Sequence, residues 1–174
     1  MFLQRRIFGF IILSVVVLSA CGYRFAGQGA FPNGVETIFI EVFENRTGKT
    51  GIERVVTNQM VFEFTRQRGQ SLASGAENAD AVLKGVIRTI RTQTISRVGT
   101  ELASQREVVM TIDLKLVNQN GSEIIWAAKG IVDRATYGVV DGNKLETERN
   151  ESLALARLSE RMSERIFGRL TNDF

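Results

Sequence analysis

The strongest pattern in this chain is a strict alternation of side chains over residues 107–117. One face of the alternation is uniformly apolar and consists of Val108, Met110, Ile112, Leu114 and Leu116. A period of two is typical of a β-strand with one buried face. The sequence Asn118-Gln119-Asn120-Gly121 follows and contains an Asn-Gly pair, which is favoured in tight hairpin turns. The region therefore predicts an antiparallel hairpin whose sheet must cover one face with a second layer.

Two further strands are predicted beside this one. Residues 81–97 are rich in Val, Ile and Thr, and residues 124–134 carry the single tryptophan, Trp126. The first of these exceeds the roughly 3–10 residues of most strands. We therefore expect a hairpin that projects beyond the helices, with its tip near residues 98–104.

Two amphipathic stretches predict the second layer. Residues 52–68 carry apolar side chains at a spacing of four, with Thr50 as the expected N-terminal cap and Gly69 as the stop. Asn143 is the expected cap of a final helix, with Glu146 three residues later. The apolar stripe of this last helix consists of Leu155, Leu158, Met162, Ile166 and Leu170.

The order of these elements predicts the fold class. Residues 35–43 form an earlier predicted strand, with Ile38, Ile40 and Val42 on one face. The chain then runs strand, helix, three strands, helix. We predict a single α+β domain over residues 35–174, a two-layer sandwich of two helices on a four-stranded, mostly antiparallel sheet.

The N-terminal residues 1–20 have the layout of a cleaved secretory signal. Arg5 and Arg6 precede an apolar stretch over residues 7–18, and small residues follow. The stretch is shorter than the ~20 residues of a membrane-spanning helix, although an uncleaved anchor helix is the alternative.

The sequence Leu18-Ser19-Ala20-Cys21 resembles the bacterial lipobox, which implies that Cys21 is lipidated and becomes the first residue of the mature chain. Several acyl chains there form a stable membrane anchor. Residues 21–34 would be the lipidated N-terminus and a Gly-rich linker. Gly22 stands where lipoproteins retained in the inner membrane usually carry Asp, so the resemblance implies the outer membrane.

Composition excludes several classes of function. The chain has no histidine and one cysteine, which excludes a Ser-His-Asp triad, a His-ligated zinc ion and an intramolecular disulfide. We predict no catalytic residue, no metal site and no cofactor. Removal of residues 1–20 leaves 20 of the 22 basic residues against 19 acidic ones, so the total charge does not indicate a nucleic-acid partner.

Several features together resemble one family. They are the start Cys21-Gly22-Tyr23, the segment Phe43-Glu44-Asn45-Arg46-Thr47, the long hairpin, the strand with Trp126 and the C-terminal helix. This combination, over nearly all of residues 21–174, resembles the lipopolysaccharide-assembly lipoprotein LptE (rare lipoprotein B) family. The resemblance implies a plug inside the LptD outer-membrane β-barrel that helps the barrel fold and deliver lipopolysaccharide, without making or breaking a bond.

Two other interpretations remain open. The Phe-x-Asn-x-Thr pattern also occurs in lipoproteins that activate peptidoglycan synthases or serve secretion, so the chain could be another periplasm-facing adaptor. A lipid-anchored hydrolase with paired carboxylates is the third interpretation, although no carboxylate pair distant in sequence stands out.

The candidate ligand-binding residues are basic, because lipopolysaccharide is an anionic amphiphile. The resemblance implies a basic residue at the end of the long hairpin strand and another before the last helix, which match Arg97 and Lys144. Arg88 and Arg91 are further candidates from the same strand. By alternation, Lys84 and Arg88 share one face with Ile90, while Arg91 and Arg97 share the other. Solvated surface charges are the alternative for each of them.

Arginines recur at every fourth residue along the last predicted helix: Arg157, Arg161, Arg165 and Arg169. One interpretation is a solvent-exposed face in which Glu160 and Glu164 pair with Arg157 and Arg161. The other is contact with phosphates or with an acidic barrel wall, since the arginine fork suits either partner.

Overall fold

The computed structural model describes residues 31–97 and 103–172. The predicted signal, the lipobox with Cys21, the linker as far as residue 30 and most of the predicted hairpin tip lie outside the described residues. The elements in chain order are β1 (Ile38–Ile40), β2 (Glu44–Asn45), α1 (Ile52–Arg68), β3 (Ala81–Arg97), β4 (Ala103–Asn118), β5 (Ile124–Gly138) and α2 (Lys144–Asn172).

The sheet is mixed. Strands β3, β4 and β5 form the predicted antiparallel meander, in which Leu83 lies opposite Leu116. Strands β1 and β2 run parallel to the other edge of β3, where Glu44 lies opposite Val86. The mostly antiparallel sheet is therefore confirmed, with two short parallel strands in place of one N-terminal strand.

The two helices cover one face of this sheet and contact each other. Helix α1 has the predicted bounds, and the predicted apolar stripe of α2 is buried from Leu155 to Leu170. They enclose a core with the apolar face of β4, whose Val108, Met110 and Ile112 are fully buried. Each buried side chain of this size stabilises the fold by about 1.5–3 kcal/mol. The predicted two-layer α+β sandwich is confirmed.

The predicted N-terminal strand over residues 35–43 is observed only at Ile38–Ile40, and the predicted alternation of faces ends there. Ile38 and Ile40 are buried, but Val42 is 65% exposed and Phe43 is 2% exposed. The backbone leaves the strand after Ile40, and the amide of Phe43 donates to Oγ1 of Thr57 on α1 at 3.0 Å. This contact with the helix places Phe43 in the core, so the alternation of faces does not continue.

The turn between β2 and α1 is organised by Asn45 rather than by the predicted cap. Asn45 Oδ1 accepts from the amide of Thr47 at 2.9 Å, and its Nδ2 donates to Glu53 Oε2 at 2.9 Å. Helix α1 has Gly51 as its N-cap, in the left-handed region at φ 85°, without a side-chain capping hydrogen bond. The expectation that Thr50 caps α1 is therefore wrong.

Bulges in β3 and β5 lie on either side of Asp113 in β4. In β3 the pairing register shifts between Ile87 and Thr89, which makes Arg88 the extra residue. In β5 the corresponding irregularity includes Gly130, at φ 65°. Asp113 accepts from the Gly130 amide at 2.8 Å and from Arg88 Nε at 2.7 Å. These two hydrogen bonds, the Gly130 amide first, lower the pKa of the Asp113 carboxyl.

The bulge at Arg88 reverses the predicted assignment of faces beyond it. Ile90 packs against the core on the helix side, and Arg91 lies exposed on the same outer face as Lys84. The expectation that put Ile90 with Lys84, and Arg91 opposite to them, is wrong. An alternation counted along the sequence assumes that every residue has a partner on the next strand. A bulge adds a residue without a partner, and each side chain beyond it then lies on the face opposite to the predicted one.

Candidate functional site

A cleft of about 530 Å³ lies where β5 ends and α2 begins. Its lining includes Arg106, Tyr137, Asn143, Lys144, Thr147 and Glu148. Arg106 lies on β4, so the cleft is lined both by the sheet and by the first turn of the last helix.

Arg106 is a positive charge on the helix side of the sheet. It lies two residues before the buried Val108, and residues two apart on a strand share a face. The pairing register places it opposite Thr94 of β3 and Tyr137 of β5. Arg106 is partly buried and makes no side-chain hydrogen bond or ion pair within the described residues. A guanidinium in this position is available to an anion that enters the cleft.

Lys144 is the first residue of α2, and its side chain is 89% exposed. Its Nζ lies 3.6 Å from Oε1 of Glu148, an exposed pair of little energetic weight. The preceding residue fixes the start of the helix: Asn143 Oδ1 accepts from the amide of Glu146 at 3.1 Å. The predicted cap of the final helix is confirmed, and it fixes the backbone of the first turn, from which the Lys144 side chain extends.

Of the carboxylates that line this cleft, Glu148 and Glu151 lie beside lysines, whereas Asp141 makes no side-chain hydrogen bond or ion pair among the described residues. Glu146 Oε2 accepts from Asn143 Nδ2 at 3.1 Å, and Glu151 Oε2 lies 2.8 Å from Nζ of Lys49. The described residues contain no cluster of acidic, cysteine or histidine side chains that could hold a metal ion. Arg106 and Lys144 are the groups of this cleft that suit binding of an anionic group, since the Thr147 hydroxyl already donates to the carbonyl oxygen of Asn143 at 3.1 Å.

Two arginines of α2 lie across the free edge of β5. Arg161 Nη2 donates to the carbonyl oxygen of Arg134 at 2.6 Å, and Arg165 Nη1 donates to the carbonyl oxygen of Val132 at 2.9 Å. The carboxylate of Asp133 lies between them, 3.2 Å from Arg161 Nε and 3.5 Å from Arg165 Nη2. Edge carbonyls that would otherwise offer pairing to another strand are satisfied here.

Comparison with known proteins decides the family. The sequence matches the family described as "LptE: Lipopolysaccharide-assembly" over residues 35–170. The chain belongs to the LptE family. This membership, which confirms the resemblance seen in the sequence, assigns it a role in lipopolysaccharide assembly. A search of curated proteins found no match.

Solved lipoprotein structures share the fold of this LptE-family chain. A minor lipoprotein from Acinetobacter baumannii superposes with a TM-score of 0.54 at 13% identity, covering 80% of this chain and 93% of that one. An uncharacterized lipoprotein B from Nitrosomonas europaea gives 0.55 at 14% identity, covering 86% and 90%. A lipoprotein from Caulobacter crescentus gives 0.52 at 14% identity, covering 75% and 88%. At these identities the likeness supports the fold. None of the helices described here is long and apolar enough to cross a membrane.

The structure separates the four basic candidates predicted for this LptE-family chain. Lys144 lines the cleft, whereas Arg88 is held by Asp113 and Arg91 lies on the outer face of the sheet. Arg97 ends β3 opposite Ala103, and its side chain lies outside the described part of the structure.

Arg106 was not among the candidates predicted from the sequence. The apolar alternation that predicts β4 extends back from Val108 to Arg106, which placed a charge on the apolar face. A charged side chain at a position that the alternation predicts to be buried was the sequence feature that could have identified Arg106 as a candidate.

The predicted pairing along α2 is also wrong. Arg161 pairs with Asp133 of β5 rather than with Glu164, and Glu164 Oε1 lies 3.3 Å from Nη2 of Arg66 on α1. Because the sequence alone cannot show which strand faces the helix, it could only offer partners from the same helix.

Proposed function

We propose that this chain is an outer-membrane lipoprotein that plugs an LptD-type β-barrel, assists its assembly and binds lipopolysaccharide for insertion into the outer leaflet. The family match over residues 35–170 carries this proposal. The lipobox-like sequence before Cys21 supports a lipid anchor there, and Gly22 supports the outer membrane. In this proposal residues 1–20 are cleaved, residues 21–34 connect the anchor, and residues 35–174 form the functional domain. The proposed role needs no catalytic residue and no cofactor.

The cleft at the start of α2 is the proposed binding site for the anionic part of lipopolysaccharide. Lys144 supplies an exposed charge, and Arg106 supplies a partly buried one that makes no ion pair among the described residues, in a cleft that Asp141, Glu148 and Glu151 also line. A partly buried charge interacts more strongly with an anion than a fully solvated one. Arg97 ends β3 three residues beyond Thr94, the partner of Arg106, so its backbone lies towards the same end of the sheet.

Arg88 and Arg91 have no part in this proposed site. The guanidinium of Arg88 is 2.7 Å from the Asp113 carboxylate, and Arg91 lies on the opposite side of the sheet from α2. Charge reversal at Arg91 should therefore leave the affinity for lipopolysaccharide unchanged.

Two experiments test the proposal. The native lipidated protein is isolated in mild detergent from the membranes of its own cells, and the proteins that co-purify are identified by mass spectrometry. A large β-barrel in equal amount is expected. A peptidoglycan synthase or a secretion pore would instead favour the adaptor alternative.

The second experiment measures binding of purified lipopolysaccharide to the isolated domain. Arg97→Glu combined with Lys144→Glu should lower the affinity about tenfold or more, because each replaces an attraction by a repulsion. The matched control is Arg149→Glu, an exposed residue on α2 outside the cleft. Equal affinity of both folded variants would refute the site. A separate Arg106→Gln variant tests whether this residue contributes.

A further inference from the structure

The sheet face that points away from the two helices, called the outer face below, carries an excess of positive charge. The pairing register places four basic residues of the three long strands on it, Lys84, Arg91, Lys115 and Arg134, and Arg88 and Lys129 join them because both act on the outer-face carboxylate of Asp113. The acidic residues on the same face of these strands are Glu107 and Asp113. A chain that is nearly neutral in total therefore concentrates positive charge on one face of its sheet.

Half of these basic residues make no ion pair within the described part of the chain, and of these the charge of Lys129 helps to lower the pKa of the Asp113 carboxyl. Arg91, Lys115 and Lys129 are exposed, and none makes an ion pair or a side-chain hydrogen bond there. The other three have carboxylates at distances between 2.7 and 3.9 Å. The unpaired charges are spread over three neighbouring strands, so they act over the width of the face.

One pair on this face is unfavourable for the isolated protein. Lys115 lies directly opposite Lys84 in the β3–β4 register. Like charges in this cross-strand position destabilise a sheet. Glu41 Oε2 lies 2.9 Å from Nζ of Lys84 and offsets one of the two charges, while Lys115 has no such partner among the described residues. A local conflict of this kind is typical of a surface that meets a partner.

The side chains between the charges of the outer face favour an extended partner. The residues between the charges are short and β-branched: Val86, Thr89, Val109, Thr111 and Val132. Neither the cleft at the start of α2 nor a second cleft of about 540 Å³ beside Asp133 is lined by Arg91, Lys115 or Lys129. A small anion or an acyl chain is usually bound in a concave pocket, whereas exposed strands with short side chains between the charges suit another broad surface.

We propose that the outer face docks against an acidic, extended surface of a protein partner. The inference rests on the proposed function, because the partner to be tested is the proposed barrel. The inference adds to that function that the outer face is the part of this chain that contacts the barrel wall. Charge complementarity fixes the orientation, and the valines and threonines between the cations allow close approach. The cleft with Arg106 and Lys144, on the helix side of the sheet, then stays open to ligand.

Site-specific photocrosslinking in native membranes tests this orientation. The full-length protein carries p-benzoylphenylalanine at position 115 or 129 on the outer face, or at control positions 54 or 149. Arg54 and Arg149 are exposed on α1 and α2 and make no ion pair within the described residues. The adducts are identified by mass spectrometry, and the crosslinked peptide of the partner is sequenced.

The expected result is an adduct of positions 115 and 129 with an acidic segment of an outer-membrane β-barrel, in a yield at least about tenfold higher than that of any adduct of positions 54 and 149. Equal yields at all four positions would overturn the docking face, because a plug without a preferred face gives that result. Barrel adducts only from 54 and 149 would overturn the docking face and leave the proposed function intact. Absence of a barrel adduct at all four positions would overturn both. Adducts of positions 115 and 129 with lipopolysaccharide or phospholipid would assign the face to a lipid and overturn the inference.

Charge reversal gives an independent readout. A folded Lys115→Glu, Lys129→Glu variant should lose about tenfold or more of the co-purified barrel, and this loss should be smaller in high salt, which screens exposed charges. The matched Arg54→Glu, Arg149→Glu variant should retain the barrel. Equal retention by both variants would overturn the inference.

Discussion

The ring of Phe43 lies directly against the backbone of Gly85. A methyl group built on the Gly85 α-carbon would come within 2.5 Å of Cδ2 of Phe43. Phe43 is 2% exposed and belongs to the core, so its ring has little room to move away. The absence of a side chain in the middle of β3 is what allows the chain between β1 and β2 to close over the sheet.

We expect Gly85→Ala to destabilise the protein by about 1–3 kcal/mol, because overpacking displaces a buried ring. Chemical denaturation of the purified domain measures the change. Gly138→Ala is the matched control, since a methyl group there meets no atom within 4 Å. Equal unfolding midpoints for the two variants would show that Phe43 can move at little cost.

The elements that follow a regular period were predictable, and those that depend on a tertiary contact were not. Helix α1 has the predicted bounds because apolar spacing and Gly69 mark it in the sequence, and strand β3 has them because residues 81–97 are rich in Val, Ile and Thr. The burial of Phe43 and the bulge at Arg88 depend on Thr57 and Asp113, which are distant in the sequence.

The site was predictable only in part for the same reason. Lys144 follows from its place before a periodic helix. Arg106 reaches the same cleft only through the pairing of β4 with β5, which the sequence does not reveal.

Asp113 should make the stability of the fold sensitive to acid. The amide of Gly130 and the guanidinium of Arg88 hold its folded pKa below the value of about 3.9 expected for an unfolded chain. The stabilisation is therefore complete above pH ~5, about one pH unit above the unfolded pKa, and is lost as the pH falls through the lower folded pKa.

Asp113→Asn should lower the free energy of unfolding at pH 7 by about 1–3 kcal/mol, because hydrogen bonds to a charged group are removed. It should also flatten the dependence of stability on pH below about 5. Denaturation curves between pH 3 and pH 7 provide the measurement. Asp141→Asn, an exposed residue without a side-chain hydrogen bond in the described residues, is the control. An unchanged pH dependence in Asp113→Asn would contradict the role of this carboxylate.

Substitution of Cys21 should release the protein from the membrane. The resemblance of residues 18–21 to a lipobox implies that this thiol is acylated. In the proposed function several acyl chains supply the anchor, and their loss leaves only the binding energy of protein contacts. Carbonate extraction followed by immunoblotting should find Cys21→Ala in the soluble fraction and the wild type in the pellet. A variant that stays in the pellet after extraction would identify an uncleaved anchor helix as the correct alternative.

The four arginines that recur at every fourth residue of α2, from Arg157 to Arg169, should divide into two functional pairs. Arg161 and Arg165 donate to carbonyl oxygens at the β5 edge, whereas Arg157 and Arg169 are exposed without a side-chain hydrogen bond among the described residues. Arg161→Ala with Arg165→Ala should therefore lower the free energy of unfolding by about 1–3 kcal/mol, since Asp133 loses both of its ion-pair partners. Exposure of the edge carbonyls should also increase self-association, which light scattering detects. Arg157→Ala with Arg169→Ala removes the same charge from the same helix and should change neither property. If both double variants lose equal stability, the effect comes from the charge of α2, and the contacts with β5 do not stabilise the sheet edge.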